Sequence, residues 1–487
     1  AAAVVLRSRA PAGLWLDEAQ SVAIARLPPG DLVTALRQDG SPPLYYLLLH
    51  GWLRVFGDSD VAVRSLSAVL SVAALPLAWL CGARLAGRRA AVAALLLTAV
   101  CPWMVRYATE TRMYALLVLL VLAGLLALAA LYRRPTPARA AGVAAVTAAL
   151  LLTHYWSFFL VAVVGVGLAR HATRRRRWAG CATAGIAAGA LLFTPWLPTF
   201  AYQLAHTGTP WADRPGLRDL VEIPRDWAGR SVPLTVALCA LLALGGLTVC
   251  RPGWVTAGRR RWAAARGAAA LAVTTLATTL VAWAAAAAGV GALTSRYTAV
   301  VVPLALLLAA LGVAALPDRL GWLVLAVVAA LGLSAAVRVT AEPRTQAPEV
   351  ARAITATARP GDVVAFCPDQ LGPSVARELA GAGAAGVHLV TYPAATPPQR
   401  VDWVDYAERN ARADPRRFAA HLHRLAGAVG RLFLVQAPYP YRTFGTACDD
   451  LAALLDARRG GHRVLVPGDG AAFEQMRLLA WPAGRRG

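Results

Sequence analysis

Between residues 61 and 340 the chain alternates long apolar runs with short polar joints. The runs fall at about 61–83, 90–107, 113–132, 138–154, 156–169, 179–201, 232–250, 263–293, 297–316 and 320–340. A helix needs about 20 apolar residues to cross a bilayer, so these ten runs are long enough, or nearly long enough, to span. The fifth is short and is separated from the fourth only by THYW, which predicts either two brief helices meeting at one surface or one broken segment. Upstream, DGSPPLYYLLLHGWLRVFG (39–57) opens on Pro-Pro and closes on Gly57. That pattern predicts a helix lying in the interface, with Tyr45, Tyr46 and Trp52 at headgroup level. The opening AAAVVL is too short to span, and the expectation is that a first helix is missing ahead of it.

After about residue 340 the pattern changes, with Pro, Gly and charged residues returning. APEVARAITATAR, PSVARELAG and DPRRFAAHLHRLAGAV read as helices, and GDVVAFCP, GVHLVTYP and RLFLVQAP as strands between them. DDLAALLDARR and HRVLVPG continue the alternation. The expected division is a multi-helix membrane module over 1–340, whose first outer loop (1–60) holds interfacial helices, and a small extracytoplasmic α/β domain with a largely parallel sheet over 341–487. Cys367 and Cys448 in that domain are either a disulfide pair or two unlinked thiols.

Composition agrees with a polytopic membrane protein: 58% hydrophobic residues, 15% charged and a mean hydropathy of +0.52. The formal net charge of +23 is carried by arginine, as the chain has no lysine. Because the basic residues sit between apolar spans, they mark cytoplasmic loops rather than a nucleic-acid partner. The clusters are Arg84, Arg88 and Arg89; Arg133, Arg134 and Arg139; Arg170 with Arg174 to Arg177; Arg251 with Arg259 to Arg261; and Arg319. They occupy every second joint. The alternate joints therefore face outward: 1–60, 107–112, 154–157, 202–231, 293–297 and everything after about 340.

The outward joints hold the candidate chemistry. Asp17 and Glu18 stand side by side in LWLDEAQ; the plain alternative for Glu18 is a residue capping a helix that begins near Ala19. RYATETRMY places Arg106, Glu110 and Arg112 in one turn, where a solvated Glu–Arg pair is the competing explanation. His154 taken alone reads as an interfacial histidine, and Arg296, followed by Tyr297, as a snorkelling anchor. Together they form a set that fits an anionic, membrane-bound substrate, with arginines for a phosphate and carboxylates for proton removal or metal binding.

LWLDEAQ, DGSPPLYYLLLHGWLRVFG, RYATETRMYALLVLL, THYW and SRYTAVVVPLALLL, in this order, resemble the outer-loop motifs of GT-C membrane glycosyltransferases. The likeness is to the branch containing protein O-mannosyltransferases and the lipid A aminoarabinose transferase. The resemblance spans roughly residues 14–340 and is concentrated in 14–160. It implies transfer of a sugar, mannose by default, from a polyprenyl-phosphate donor to an acceptor hydroxyl on a protein, lipid or polysaccharide outside the cytoplasm, with inversion. By the same resemblance Asp17 takes the position of the base and Glu110 the second acidic position, with Glu18 beside them. Arg112 and Arg296 become donor-phosphate contacts, and Tyr45, Tyr46, His154 and Tyr297 substrate or interface residues. A divalent metal ion is one option for a cofactor, with Glu18, Glu110 and His154 as candidate ligands. Two other classes remain: a transporter or flippase of an anionic or lipid-linked substrate, which should place its polar groups near the midplane in two related halves, and a scaffold, which would need no acidic pair.

Overall fold

The computed structural model describes residues 2–173, 176–209, 212–251, 260–383, 386–439 and 444–483; Arg174, Arg175 and Arg259 of the basic clusters lie outside them. A short α1 (Ala2–Leu6) precedes three helices that come before the first long apolar one: α2 (Leu16–Ala25), α3 (Pro29–Asp39) and α4 (Leu44–Phe56). Pro29 opens α3, where its missing N–H is no loss, and Gly40 closes it at a φ of +82°.

The aromatic face of α4 points inward. Tyr45 and Tyr46 are fully buried, Tyr45 sharing a hydrogen bond with Ser67 Oγ (3.1 Å) and Tyr46 donating to Asp39 Oδ2 (2.8 Å). This corrects the headgroup placement expected for them: each hydroxyl has a partner inside the protein, so each ring can be buried without leaving a polar group unsatisfied. The face α4 turns outward is Leu47, Leu48, Val55 and Phe56.

Every expected apolar run becomes helical. The helices are α5 (Asp60–Ala86), α6 (Arg88–Val100), α7 (Pro102–Ala108), α8 (Tyr114–Arg133), α9 (Pro137–Leu151), α10 (Ser157–Ala172), α11 (Arg177–Leu191) and α12 (Leu197–His206). They continue with α13 (Leu217–Trp227), α14 (Val232–Leu247), α15 (Arg260–Ala287), α16 (Val302–Ala315) and α17 (Asp318–Ala341). Among the described residues five stretches are long and apolar enough to cross a membrane, or up to seven counting the bent pairs α6–α7 (56°) and α13–α14 (104°). Three shorter apolar helices, α9, α10 and α16, complete the set. The THYW joint therefore separates two brief helices. The bundle turns Leu191, Leu192, Val273, Leu276, Leu323 and Val327 to its outside, where lipid is the compatible solvent.

Helix α16 explains its own brevity. Every residue from Val302 to Ala314 is buried, and the helix packs against α5, α6, α14, α15 and α17. It fills the centre of the bundle and presents no face to lipid. Glycines let α14 approach it closely: a Cβ on Gly245 would fall 2.1 Å from Leu308 O, and one on Gly312 2.1 Å from Leu241 O.

The α/β region follows α17. Helices α18 (Ala347–Thr357), α19 (Gly372–Gly381), α20 (Tyr406–Arg412), α21 (Pro415–Ala426) and α22 (Ala447–Arg459) surround a five-stranded sheet. Its strands are β1 (Val363–Cys367), β2 (His388–Thr391), β3 (Leu432–Gln436), β4 (Arg463–Val466) and β5 (Arg477–Trp481), ordered β2-β1-β3-β5-β4. The pairs β2–β1 and β1–β3 are parallel, as the alternation of helix and strand requires. Strand β5, which the sequence reading did not anticipate, runs antiparallel between β3 and β4. Both β1 and β3 are buried throughout, so they read as continuous apolar runs. Cys367, at the end of β1, is disulfide-bonded to Cys448 in α22.

This region docks on one end of the helix bundle. Val401 N–H donates to Gln20 Oε1 (2.9 Å), Trp403 N–H to Gln38 O (3.1 Å) and Asp405 N–H to His206 O (2.7 Å). Arg377 donates to Asp60 Oδ1 (2.9 Å) at the first residue of α5. At the far end of α5 lies the basic joint, where Arg89 donates to Asp318 Oδ1 (2.7 Å) and Leu316 O (2.6 Å). Two joints of the expected basic series thus meet at the end away from the α/β region.

Candidate active site

A cavity of about 500 Å³ lies where the bundle meets the α/β region. Trp15, Leu16 and Asp17 enter it from the start of α2, Arg106 and Tyr107 from α7, and Glu110 from the turn that follows. Thr294, Ser295 and Arg296 close another side. Gln370, Trp403, Tyr439 and Phe473 come from the α/β region.

Local structure explains these placements. Pro102 opens α7 after the break with α6, and the short helix ends at Ala108. Arg106 and Glu110 are one helical turn apart, so both reach the cavity, with Arg106 Nε 3.6 Å from Glu110 Oε2. Glu110 is 1% exposed, and its Oε1 has no hydrogen-bond partner among the described residues. Burial pushes its carboxyl above the ordinary carboxylate range, more than Arg106 and Arg344 pull it down. Asp17 differs. Its Oδ2 accepts from Arg296 Nη1 (3.0 Å) and lies 3.9 Å from Arg112 Nε, while no donor among the described residues reaches Oδ1.

Glu18 points away from the cavity. It is fully buried, its Oε1 accepting from Arg64 Nε (2.8 Å) and Thr111 N–H (2.9 Å) and its Oε2 from Arg64 Nη2 (2.6 Å). Burial pushes its carboxyl up, but the Arg64 guanidinium, together with Arg344 and the Thr111 N–H, more than reverses this, leaving it below its ordinary value. The catalytic or metal-binding place expected of Glu18 is therefore corrected: both oxygens are taken up in tying α2 to α5 and to the turn after α7. It is not an N-terminal cap at Ala19 either, since α2 starts at Leu16.

The remaining expected residues form a layer behind the cavity. Arg112 donates to Ser21 Oγ (2.9 Å) and Tyr46 Oη (3.0 Å), supporting Asp17 from behind; unlike Arg106 and Arg296, it is not part of the cavity wall. His154 packs between the rings of Tyr297 (centroids 4.7 Å apart) and Tyr114 (6.2 Å), and its Nδ1 accepts from Trp156 N–H (3.1 Å). Burial, then the positive charge of Arg112 and Arg296, pushes the imidazole down to about 3, so it stays neutral. Tyr45 and Tyr46 belong to the core, leaving only Tyr46 near the site, through Arg112.

The donor set does not fit the divalent metal that the sequence left open as one option. Among the described residues no three His, Cys, Asp or Glu side chains come together. Of the candidates, Glu18 is bound by arginine, His154 faces aromatic rings, and Glu110 sits beside Arg106. Arg64 escaped the sequence reading, as did the choice of Arg106 over Arg112 for the cavity wall; the α/β region was expected either to cover the site or to bind the acceptor, but without the residues that form its wall. Arg106 was visible in the turn motif, and its spacing from Glu110 was the available signal.

Comparison with known proteins bears on the fold that carries this site. Residues 40–198 match the family model described as dolichyl-phosphate-mannose-protein mannosyltransferase. No curated protein matches the chain by sequence. Among solved structures, ArnT from Cupriavidus metallidurans bound to undecaprenyl phosphate aligns over 98% of this chain and 96% of its own, at 13% identity and a TM-score of 0.58. The Archaeoglobus fulgidus oligosaccharyltransferase in complex with Zn and sulfate aligns over 96% of this chain and 71% of its own, at 12% identity and a TM-score of 0.55. The chain is an integral membrane protein with the GT-C glycosyltransferase fold, and its residues 40–198 match the mannosyltransferase family within that fold.

Proposed function

We propose that the protein transfers a sugar from a polyprenyl-phosphate carrier to an acceptor hydroxyl at the extracytoplasmic face, with Asp17 as the base. The observation that carries this reading is the shared cavity, where one carboxylate with an open oxygen stands beside two arginines from different segments, Arg106 and Arg296. An acceptor hydroxyl is a weak nucleophile near neutral pH. Asp17 Oδ1 takes its proton as the oxygen bonds to the anomeric carbon. The bond from that carbon to the phosphate oxygen breaks, and its electron pair leaves with the phosphate. A single displacement of this kind inverts the anomeric centre.

The leaving lipid phosphate is an anion and needs charge stabilisation more than protonation, which Arg106 and Arg296 supply in a site partly shielded from water. Arg112 acts through Asp17, which it helps hold in place. No step is assigned to a metal, because among the described residues no three His, Cys, Asp or Glu side chains come together. Glu110, whose carboxyl is pushed up by burial, is placed in the cavity wall to hydrogen-bond the substrate. The cavity end is read as extracytoplasmic for two reasons: the arginine-rich joints lie at the other end, and the Cys367–Cys448 disulfide belongs to an oxidising compartment. Mannose is the first sugar to test because of the matched family model, and a pentose is the next. The α/β region over 341–487 covers the site and contributes to the acceptor side.

The test begins with mass spectrometry of the lipids that co-purify with the protein, followed by transfer from the identified carrier into acceptors of the host membrane. Asp17→Asn should retain carrier binding and lose about 10²- to 10⁴-fold in turnover. Equal turnover by Asp17→Asn and wild type would refute the base assignment. Recovery of no polyprenyl phosphate, with a solute found between the helices instead, would point to transport.

A further inference from the structure

Helix α2 carries Asp17 as its second residue, and its own sequence provides no side-chain cap. The N-cap position is Trp15, whose side chain makes no cap hydrogen bond, yet the N–H groups of the first turn need acceptors. The acceptor for the first of them comes from 458 residues further along the chain: Leu16 N–H donates to Glu474 Oε1 at 3.0 Å. Resting on the proposed role of Asp17, we infer that Glu474 is a positioning residue for the base, a carboxyl group through which the α/β region caps and aims the helix bearing Asp17.

Glu474 is itself held firmly. It is 8% exposed, and its Oε2 accepts from Thr345 Oγ1 at 2.5 Å. Its backbone is clamped to the strand-like segment just after α17: Glu474 N–H donates to Arg344 O (2.8 Å), and Gln346 N–H donates to Glu474 O (3.2 Å). Arg344 in turn donates to Thr109 O in the turn that carries Glu110. The preceding residue adds a second hold on α2, since Phe473 meets Trp15 edge to face with centroids 5.2 Å apart. Trp15 also lies beneath Arg296, whose guanidinium carbon is 5.7 Å from the ring centroid.

The chain thus reaches the base by three routes. Arg64 fixes Glu18 one residue after it, Arg296 holds its carboxylate, and Glu474 fixes the N–H one residue before it. Buried to this degree, Glu474 would otherwise be an expense to stability, because a carboxyl in an apolar setting resists ionisation. Its place is explained if its hydrogen bonds to α2 and Thr345 orient the first turn.

The test combines turnover with a measurement that needs no substrate. In Glu474→Ala, amide hydrogen exchange in the first turn of α2 should accelerate at least 10-fold. Turnover should fall about 10- to 100-fold, as expected for small misplacement of a reacting group, with the donor KM changed less than 3-fold. Glu474→Gln retains an oxygen that can accept from Leu16 N–H, and should recover turnover to within about 5-fold of wild type. If Glu474→Ala does not fold, Thr345→Val, which removes only the hydroxyl orienting Oε2, should show the same pattern in weaker form. Unchanged exchange in α2 in a folded variant overturns the inference whatever the enzyme's reaction. So does a fall in turnover that Gln fails to rescue. Full turnover in Asp17→Asn would instead overturn the base assignment, and the exchange result would still judge the cap.

Discussion

Replacing Arg64 with alanine should unsettle the protein more than any cavity substitution, although Arg64 does not line the cavity. The residue is 7% exposed, and its guanidinium makes two hydrogen bonds to Glu18, one to Pro11 O (2.8 Å) and one to Gly13 O (2.7 Å). The variant leaves a fully buried carboxylate with Thr111 N–H as its one close donor, and Arg344 Nη1 3.9 Å away. Breaking a buried, hydrogen-bonded pair by removing one partner costs about 3–5 kcal/mol, chiefly the desolvation of the stranded charge. In a chain of this size that is a fall of roughly 3–5 °C in the midpoint of thermal unfolding, read by light scattering or tryptophan fluorescence in detergent. Glu18→Ala alone should cost a similar amount. The double variant should cost clearly less than the two single losses together, because the second substitution removes the charge that the first exposed. If Arg64→Ala melts with the wild type, or the double variant equals the sum of the singles, the Glu18–Arg64 pair is not the strut described here.

Two further outcomes concern the α/β region. Burial holds the carboxyls of Glu474 and Asp369 up at about 8 and about 7, so the folded protein keeps protons there that the unfolded chain has released above its ordinary carboxylate values. The sign follows from linkage: stability is greatest at low pH within this window and declines as pH rises towards 8, by up to about 1.4 kcal/mol per pH unit for each group. Scanning calorimetry from pH 5 to pH 8 should show a smaller slope for Glu474→Gln than for the wild type, and equal slopes would count against the assignment. Cys367 and Cys448 stand 81 residues apart. Replacing both with serine should destabilise the α/β region by up to about 4.5 kcal/mol on the chain-entropy view, seen as faster proteolysis within it while the membrane helices stay protected. Equal proteolysis of the two forms would argue against that contribution.

The apolar runs were legible because lipid imposes a length and a composition on any segment that crosses it. Even the break at THYW was visible as a polar interruption between two short runs. Asp17, Glu110 and Arg296 were legible for the same reason: charged groups beside apolar runs must sit at an end of the bundle or in a cavity. Which charge faces which way was not. Glu18 is adjacent to Asp17 in sequence, but neighbouring positions on a helix point about 100° apart, and its partner Arg64 lies 46 residues on, inside a mostly apolar helix. Arg106 and Arg112 looked equivalent until the end of α7 at Ala108 put a turn between them. Tyr45 and Tyr46 looked like interface aromatics because the partners of their hydroxyls, Ser67 and Asp39, become apparent only once the helices pack. Strand β5 is a run of five residues, and its antiparallel place depends on a gap between β3 and β4 that no local pattern records. Glu474 carried no signal whatever, since a trans-acting cap is a property of two distant segments meeting.

The wall contributed by Gln370, Trp403, Tyr439 and Phe473 has a consequence for economy of the donor. Under the proposed transfer, a sugar leaving its carrier as a developing cation reacts with whatever oxygen is nearest, and bulk water is far more abundant than any acceptor. A roof built from a folded domain excludes that competitor until the acceptor enters, so an enzyme cut back to its membrane helices would be prone to squander activated sugar by hydrolysis rather than merely to work slowly.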